Sequence, residues 1–186
     1  MNDASIAALY RDRSEAAIRE TEKNYGEVCL RLANNILHNE CDAQECVNDA
    51  YLALWESLAD REPPRYFKAY LLRIVRYIAY DMLKKRTAQK RGEARPMPLE
   101  ELAEILPDPR TPEQELDAAA LTEALEVFLL GLPQRHRYIF LRRYFYCDGV
   151  SEIAAALGAP ESTVSVTLNR VKKKLKAYLE KEGFSV

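Results

Sequence analysis

The stretch from Phe67 to Arg86 constrains the fold most, because its residue spacing predicts a single helix with two chemically different faces. At about 100° per residue, its apolar residues fall on one broad arc, which is typical of a helix side packed against a core. This predicted core face comprises Leu71, Leu72, Ile74, Val75, Ile78, Ala79, Met82 and Leu83. The stretch therefore predicts a helix that buries one side.

The opposite arc of this helix interleaves aromatic and cationic side chains. Its members are Tyr70, Arg73, Arg76, Tyr77, Tyr80, Asp81 and Lys84. Phosphates bind Lys and Arg, whereas unstacked bases stack on aromatic rings at roughly 1–3 kcal/mol per base. The face therefore predicts binding of single-stranded nucleic acid rather than of an intact duplex. The alternative is a solvated charged face whose tyrosines are half-buried under a neighbouring element.

Composition favours an all-α protein. Only six Gly occur among 186 residues, and few segments alternate in the manner of strands. The 48% of hydrophobic residues can supply real cores. No apolar run reaches the ~20 residues that a membrane span needs, and the N-terminus is too charged for a signal peptide. We therefore expect a cytoplasmic protein that does not engage a membrane.

Charge is strongly partitioned along the chain, although the formal net charge is only −2. Acidic residues dominate 1–64 and 96–127, whereas basic residues dominate 65–95 and 128–186. Local basic density on one face, rather than the whole-chain charge, decides whether a protein attracts nucleic acid. The two basic blocks are therefore compatible with nucleic-acid binding.

An acidic, proline-rich segment separates the two halves. Residues 92–117 hold five of the nine prolines, and we expect at most a short helical turn there, from about Leu99 to Ile105. The sequence thus predicts two small helical domains, 1–91 and 118–186, joined by an acidic linker. The linker is either a solvated tether or an acidic strand that occupies a channel otherwise used by RNA.

A second predicted helix in the first domain presents an acidic stripe. The chain breaks near His38, and Asp42 is the predicted N-cap of the next helix, with Glu45 as its capping-box partner. Asp42, Glu45 and Asp49 then share one face of a helix that runs to about Leu58. An ordinary solvated face is the alternative, because acids near a helix N-terminus are favoured by the helix dipole.

The second domain carries the most specific spacing in the chain. A helix-turn-helix needs a small residue where its helices cross, a Gly four positions on and a buried apolar residue six later; Ala154, Gly158 and Val164 meet that spacing. Ser151 is the predicted cap of the first helix. Helix pairs of this kind that never touch DNA also exist. The outward-facing candidates for duplex-DNA contact are Glu161, Ser162, Thr163, Ser165, Val166, Asn169, Arg170 and Lys173.

Three segments of the chain resemble a known family. CDAQECVNDAYLALW and AYLLRIVRYIAYDMLKKR lie in the first domain, and LPQRHRYIFLRRYFYCDGVSEIAAALGAPESTVSVTLNRVKKKL lies in the second. In this order and spacing, with an acidic linker between them, they are similar to bacterial RNA polymerase sigma factors of the two-domain, extracytoplasmic-function (ECF) type. The resemblance runs from about Tyr25 to Leu179.

The resemblance implies a transcription initiation factor that binds core RNA polymerase and promoter DNA. It implies that the acidic helix docks on the clamp coiled coil of the largest polymerase subunit, through Asp42, Glu45, Asn48 and Asp49. It implies that the tyrosine face and the loop before it meet the non-template strand of the minus-ten element, through Tyr66, Tyr70, Arg73, Arg76, Tyr77, Tyr80 and Lys84. The helix-turn-helix would read the minus-thirty-five element, and the linker would pass through the active-centre cleft. An anti-sigma factor is a further partner common in this family.

The chain departs from the family pattern within both DNA-binding faces. Tyr70 stands where Trp is usual and Tyr77 where Asn is common, so at Tyr77 stacking is implied but a base-specific contact is not. In the second domain, residues 165–167 replace a commoner Lys-Ser-Arg pattern. Phosphate contacts are therefore expected to fall more heavily on the basic residues from Arg170 to Lys173.

Two other function classes compete with this interpretation. A free-standing helix-turn-helix repressor would explain the second domain but would leave the acidic helix and the tyrosine face without a role. A zinc site at His38, Cys41 and Cys46 lacks an evident fourth ligand and fits no structural zinc spacing, so we interpret these cysteines as ordinary thiols. The sequence has no phosphate loop, nucleophile elbow or HExxH motif. We therefore expect no enzyme activity, cofactor, metal or small-molecule substrate.

Overall fold

The computed structural model describes residues 2–58, 64, 66–90, 98, 100–103 and 114–184. Its internal contacts divide the chain into two compact units, residues 1–94 and 95–186. Every regular element in the described ranges is helical, which confirms the all-α prediction. Among these helices, none has the length and apolar composition that crossing a membrane requires.

The first unit is a bundle built around the two-faced helix predicted from the sequence. Its helices are α1 (Asp3–Arg11), α2 (Ala16–Leu37), α3 (Glu40–Ser57) and α4 (Phe67–Lys90). The last three pack pairwise against one another, and α1 packs on α2 and α4. Leu71, Leu72, Val75 and Ala79 of α4 are fully buried, as predicted, whereas the other four members of the predicted core face are half-buried. Burying this arc directs the opposite arc of α4 outward.

Helix α1 closes the bundle where α3 ends and α4 begins. The buried ring of Tyr10 lies 6.1 Å from the ring of Trp55 in α3 and 5.9 Å from that of Phe67, the first residue of α4. The Tyr10 hydroxyl is hydrogen-bonded to the hydroxyl of Thr21, at 2.8 Å. This arrangement lets a buried phenol keep a polar partner while its ring packs between two helix ends.

The start of α3 differs from the sequence-based prediction. The helix begins at Glu40, and Asn39, not Asp42, is its N-cap: the Asn39 side-chain oxygen accepts a hydrogen bond from the Asp42 backbone N–H at 3.0 Å. His38, with φ of 50°, makes the left-handed break after α2. The prediction was wrong because both residues are good caps and the break allowed either register. The Asp42 carboxylate is thereby left to make a tertiary contact.

The second unit contains the helix-turn-helix and the helices that support it. It comprises α5 (Glu100–Ala103), α6 (Gln114–Gly131), α7 (Gln134–Phe140), a π-helical segment (Leu141–Phe145), α8 (Val150–Leu157) and α9 (Glu161–Lys181). Leu102 of α5, which lies in the predicted linker, is only 5% exposed and is part of the core of this unit. Helix α5 of the predicted linker is therefore packed into the second unit through Leu102.

The turn between α8 and α9 has the geometry that the sequence spacing predicts. Gly158 adopts φ of +56°, and Ala154 and Val164 are buried at the helix crossing. The predicted cap Ser151 is wrong: α8 starts at Val150, and the N–H of the N-cap residue Gly149 donates to the Glu152 carboxylate at 2.7 Å. Glycine has no side chain that could accept a hydrogen bond from the first turn of α8. The hydrogen bond from the Gly149 N–H to the Glu152 side chain, which is one half of a capping box, is present instead.

Replacing Gly158 tests this turn. Gly158→Ala is expected to destabilise the second unit by about 1 kcal/mol, because an L-residue is strained in the left-handed region. Gly131→Ala is a matched control, because a Cβ added at either glycine meets no other atom within 4 Å. Of these two glycines, only Gly158 has a positive φ. Hydrogen exchange of the α8 and α9 amides measures the difference. Equal protection in both variants would contradict the assigned strain.

Candidate polymerase and nucleic-acid interfaces

Two aromatic rings, one on the outward face of α4 and one just before the helix, are open to solvent. Tyr77 is 76% exposed and Tyr66, just before the helix, is 56% exposed, whereas Tyr70 and Tyr80 are half-buried. The alternative interpretation, in which the tyrosines of this arc are half-buried under neighbours, therefore holds for Tyr70 and Tyr80 and fails for Tyr77. A ring as open as that of Tyr77 has little packing of its own and is available for stacking.

Cations flank these rings along the same face. The side chains of Arg73 and Lys84 are exposed, and Arg76 is half-buried. The one acid predicted on this arc, Asp81, is paired with Lys85 of the next turn at 2.8 Å. Its charge is therefore offset locally, and the face keeps a positive character that attracts phosphates.

The acidic stripe on α3 is divided by the tertiary structure. Glu45, Asn48 and Asp49 are exposed on one side of the helix, and the Asn48 side-chain oxygen accepts a hydrogen bond from Gln44 at 3.2 Å. Asp42 is half-buried, and its carboxylate accepts a hydrogen bond from Arg86 of α4 at 2.8 Å. Three of the four residues predicted to dock thus form an open surface, and the fourth is engaged inside the unit.

Arg86 links three helices, a role that the sequence did not indicate. Besides its contact with Asp42 in α3, its second terminal nitrogen donates to the backbone carbonyl of Leu37, the last residue of α2, at 2.7 Å. The final carbonyls of a helix lack partners within the helix, and a cation is favoured there. Asp42 and Arg86 are 44 residues apart, so no local spacing could have revealed the pair.

The cysteines considered as zinc ligands occupy different environments. Cys46 is fully buried, and its thiol donates to the carbonyl of Val75 with a sulfur–oxygen distance of 3.5 Å. Burial raises the pKa of Cys46 to about 12, so the thiol stays protonated at neutral pH and is a poor metal ligand. Cys41 and His38 are exposed. Within the described ranges, no three His, Cys, Asp or Glu side chains form a group that could hold a metal ion.

Helix α9 separates its buried and outward residues cleanly. Val164, Leu168, Val171 and Leu175 are buried. All of the predicted duplex contacts are exposed: Glu161, Ser162, Thr163, Ser165, Val166, Asn169, Arg170 and Lys173. The structure therefore brings these eight side chains onto one accessible surface, a geometry that a major-groove helix requires.

Two shielded ion pairs lie before the helix-turn-helix, and sequence reasoning missed both. Arg142 pairs with the buried carboxylate of Asp148, and Arg143 pairs with Glu101 of α5. The Tyr144 hydroxyl also donates to Glu101, at 3.2 Å. Burial raises the pKa of Tyr144, and the adjacent Glu101 raises it further, so the phenol remains a donor at neutral pH.

Comparison with known proteins gives the family. The protein family Sigma-70 region 2 matches residues 22–89 of this chain, and the protein family Sigma-70, region 4 matches residues 122–175. An RNA polymerase sigma-E factor of Streptomyces antibioticus is 32% identical over 161 residues, covering 83% of this chain and 79% of that relative. The chain belongs to the ECF sigma factors. Within this sigma factor, α1 and α5 lie outside both matched regions.

Two further comparisons cover almost the whole sigma factor. The RNA polymerase sigma factor CnrH of Cupriavidus metallidurans is 27% identical over 184 residues, covering 97% of this chain and 96% of that protein. A solved structure of CnrH in complex with the cytosolic domain of CnrY matches with 21% identity and a TM-score of 0.45, covering 97% and 99% of the two chains. The sequence match to CnrH extends over both units of the chain.

The Asp42–Arg86 pair can be tested by a double-mutant cycle. Arg86→Ala is expected to destabilise the first unit by about 1 kcal/mol, because it removes the donor from a carboxylate and a helix-end carbonyl that are partly shielded. Comparing Arg86→Ala, Asp42→Ala and the double variant should give a coupling energy between the two side chains of about 0.5–1 kcal/mol. Trp55, the only Trp in the chain, reports unfolding of this unit by fluorescence. The exposed Arg73→Ala is the control, and a coupling energy near zero would show that the pair adds nothing.

Proposed function

We propose that this sigma factor binds core RNA polymerase through α3, directs it to promoters through α9, and opens the minus-ten element by holding the non-template strand on α4. One observation carries the proposal: α3 and α4 pack together, and each directs a chemically distinct face to solvent. One face is acidic and suited to a basic protein surface. The other is aromatic and cationic and suited to an unpaired strand.

Strand opening in this proposal uses binding energy and no covalent chemistry. Unstacking a base step costs a few kcal/mol. Stacking on an aromatic side chain returns roughly 1–3 kcal/mol per base, and cations add phosphate contacts. Tyr66 and Tyr77 supply exposed rings, and Arg73 and Lys84 supply exposed charges. Tyr70, Arg76 and Tyr80 line the same face with less exposure.

Docking on polymerase is assigned to the exposed part of α3. Glu45, Asn48 and Asp49 offer two carboxylates and an amide on adjacent turns, which complements a cationic surface such as that of a coiled coil. Asp42 remains part of the predicted docking set but is already bound to Arg86. We expect its contribution to docking to be the smallest of the four.

Duplex reading is assigned to the exposed surface of α9. The first turns of the helix, from Glu161 to Val166, are placed to approach base edges, and Arg170 and Lys173 follow as phosphate contacts.

A free-standing repressor would use α9 in the same way. It would leave the acidic surface of α3 and the open ring of Tyr77 without a function, and no observation favours it. An anti-sigma factor remains a proposed partner.

Charge reversal on α3 tests docking. Asp49→Lys is expected to weaken binding of the chain to purified core RNA polymerase by at least roughly ten-fold, because it places a like charge against a basic partner. Glu27→Lys makes the same charge change at an exposed position on α2 and should bind as the wild type does. Affinity is measured by a quantitative pull-down. Equal binding by both variants would rule out α3 as the docking surface.

Removing the most exposed ring of α4 tests strand binding. Tyr77→Ala, in complex with core polymerase, should lower affinity for a random pool of single-stranded oligonucleotides roughly 5- to 100-fold, from the loss of one stacked base. The fold should be unaffected, since the side chain is 76% exposed. Tyr138→Ala, a 38% exposed tyrosine of α7, is the control. Unchanged binding by the Tyr77 variant would contradict the stacking role.

A further inference from the structure

The short helix α5 is attached to the second unit by both apolar and polar contacts. Leu102 is buried in the core shared by α7, α8 and α9. The carboxylate of its neighbour Glu101 accepts hydrogen bonds from an Arg143 terminal nitrogen and from the Tyr144 hydroxyl. The Arg143 and Glu101 side chains are only 17% and 30% exposed, so water screens this pair poorly. The Coulomb attraction between these two side chains is therefore stronger than that of a fully exposed ion pair.

Arg143 extends this contact to the turn that precedes the helix-turn-helix. Its other terminal nitrogen donates to the backbone carbonyl of Asp148 at 3.2 Å. The Asp148 side chain is only 2% exposed and is paired with Arg142. Two adjacent arginines thus hold Asp148 by its carbonyl and by its carboxylate. The next residue, Gly149, is the N-cap of α8.

We propose that Glu101 is a positioning residue for the helix-turn-helix. It holds Arg143 in the orientation that anchors the turn at Asp148, and thereby sets where α8 begins. Helix α8 packs against α9, so the start of α8 affects how the outward face of α9 meets a duplex. The inference rests on the proposed function, because it concerns duplex binding by α9.

Loss of the Glu101 carboxylate would leave Arg143 without its counter-charge. A shielded guanidinium with no ion partner is unfavourable, so the side chain is expected to turn towards water and to release the Asp148 carbonyl. Glu101 itself is negatively charged and would repel phosphate. Its effect on DNA affinity must therefore be indirect, without any change in the number of phosphate contacts.

The experiment compares variants of the 186-residue chain in two measurements. The variants are Glu101→Ala, the conservative Glu101→Gln and, as a control, Glu123→Ala, which removes an exposed carboxylate of α6 in the same unit. Hydrogen exchange on the free protein follows the amides from Asp148 to Ile153. Duplex affinity is measured for each variant bound to core polymerase, over a range of salt concentrations. The probe is duplex DNA enriched from a random pool by the wild-type complex.

We expect the backbone amides at the start of α8 to exchange faster in Glu101→Ala than in the wild type. The duplex affinity of this variant should fall roughly five-fold, and the salt dependence of that affinity should not change. The glutamine variant should lie between it and the wild type, because its single amide oxygen can replace only one of the two carboxylate oxygens, which accept separately from Arg143 and Tyr144. The double variant Arg170→Ala with Lys173→Ala should instead flatten the salt slope, as loss of phosphate contacts does.

Two results would overturn the inference. One is a Glu101→Ala variant that matches Glu123→Ala in both exchange and affinity. The other is a flattened salt slope in Glu101→Ala, which would indicate that the variant loses phosphate contacts instead of only shifting the start of α8. Failure of the proposed function looks different: the wild-type complex would then enrich no duplex at all, while the exchange measurement would still show whether Glu101 controls the start of α8.

Discussion

Burial of one arc of α4 against α2 and α3 is the constraint on which the first unit depends. Leu71, Leu72, Val75 and Ala79 leave almost no surface in water, and burial of each Leu or Val side chain contributes about 1.5–3 kcal/mol. With that arc fixed inward, the helix cannot rotate without exposing it. Tyr77, Arg73 and Lys84 of the other arc are therefore presented to solvent in a fixed orientation, as the proposed capture of an unpaired strand requires.

The same packing brings the two proposed binding faces of the first unit next to each other. Arg86 binds both Asp42 of α3 and the last carbonyl of α2, so the end of α4 is tied to the start of the acidic helix. Asp42 resembles its neighbours in sequence but differs from them in structure, because its carboxylate is already engaged. A position in a charged stripe therefore does not by itself define a contact residue.

The second unit relies on shielded charge as well as on an apolar core. Leu102 adds to that core, Arg143 pairs with Glu101, and Arg142 and Arg143 both contact Asp148 in the turn before α8. In a sigma factor, this arrangement makes part of the acidic linker a component of the DNA-binding unit. Shielded pairs of this kind need both partners, since either charge alone would be costly to keep out of water.

The sequence by itself determined the helical class, the two-faced helix α4, the outward residues of α9 and the turn at Gly158, because helical periodicity and the glycine requirement are local properties. It could not determine the cap of α3, since Asn39 and Asp42 are both good capping residues. It also could not assign partners to Asp42 and Glu101, which lie 44 and 42 residues from theirs. Only the tertiary structure decided which charges are open to a binding partner and which are already paired, because pairing depends on distances that packing alone sets.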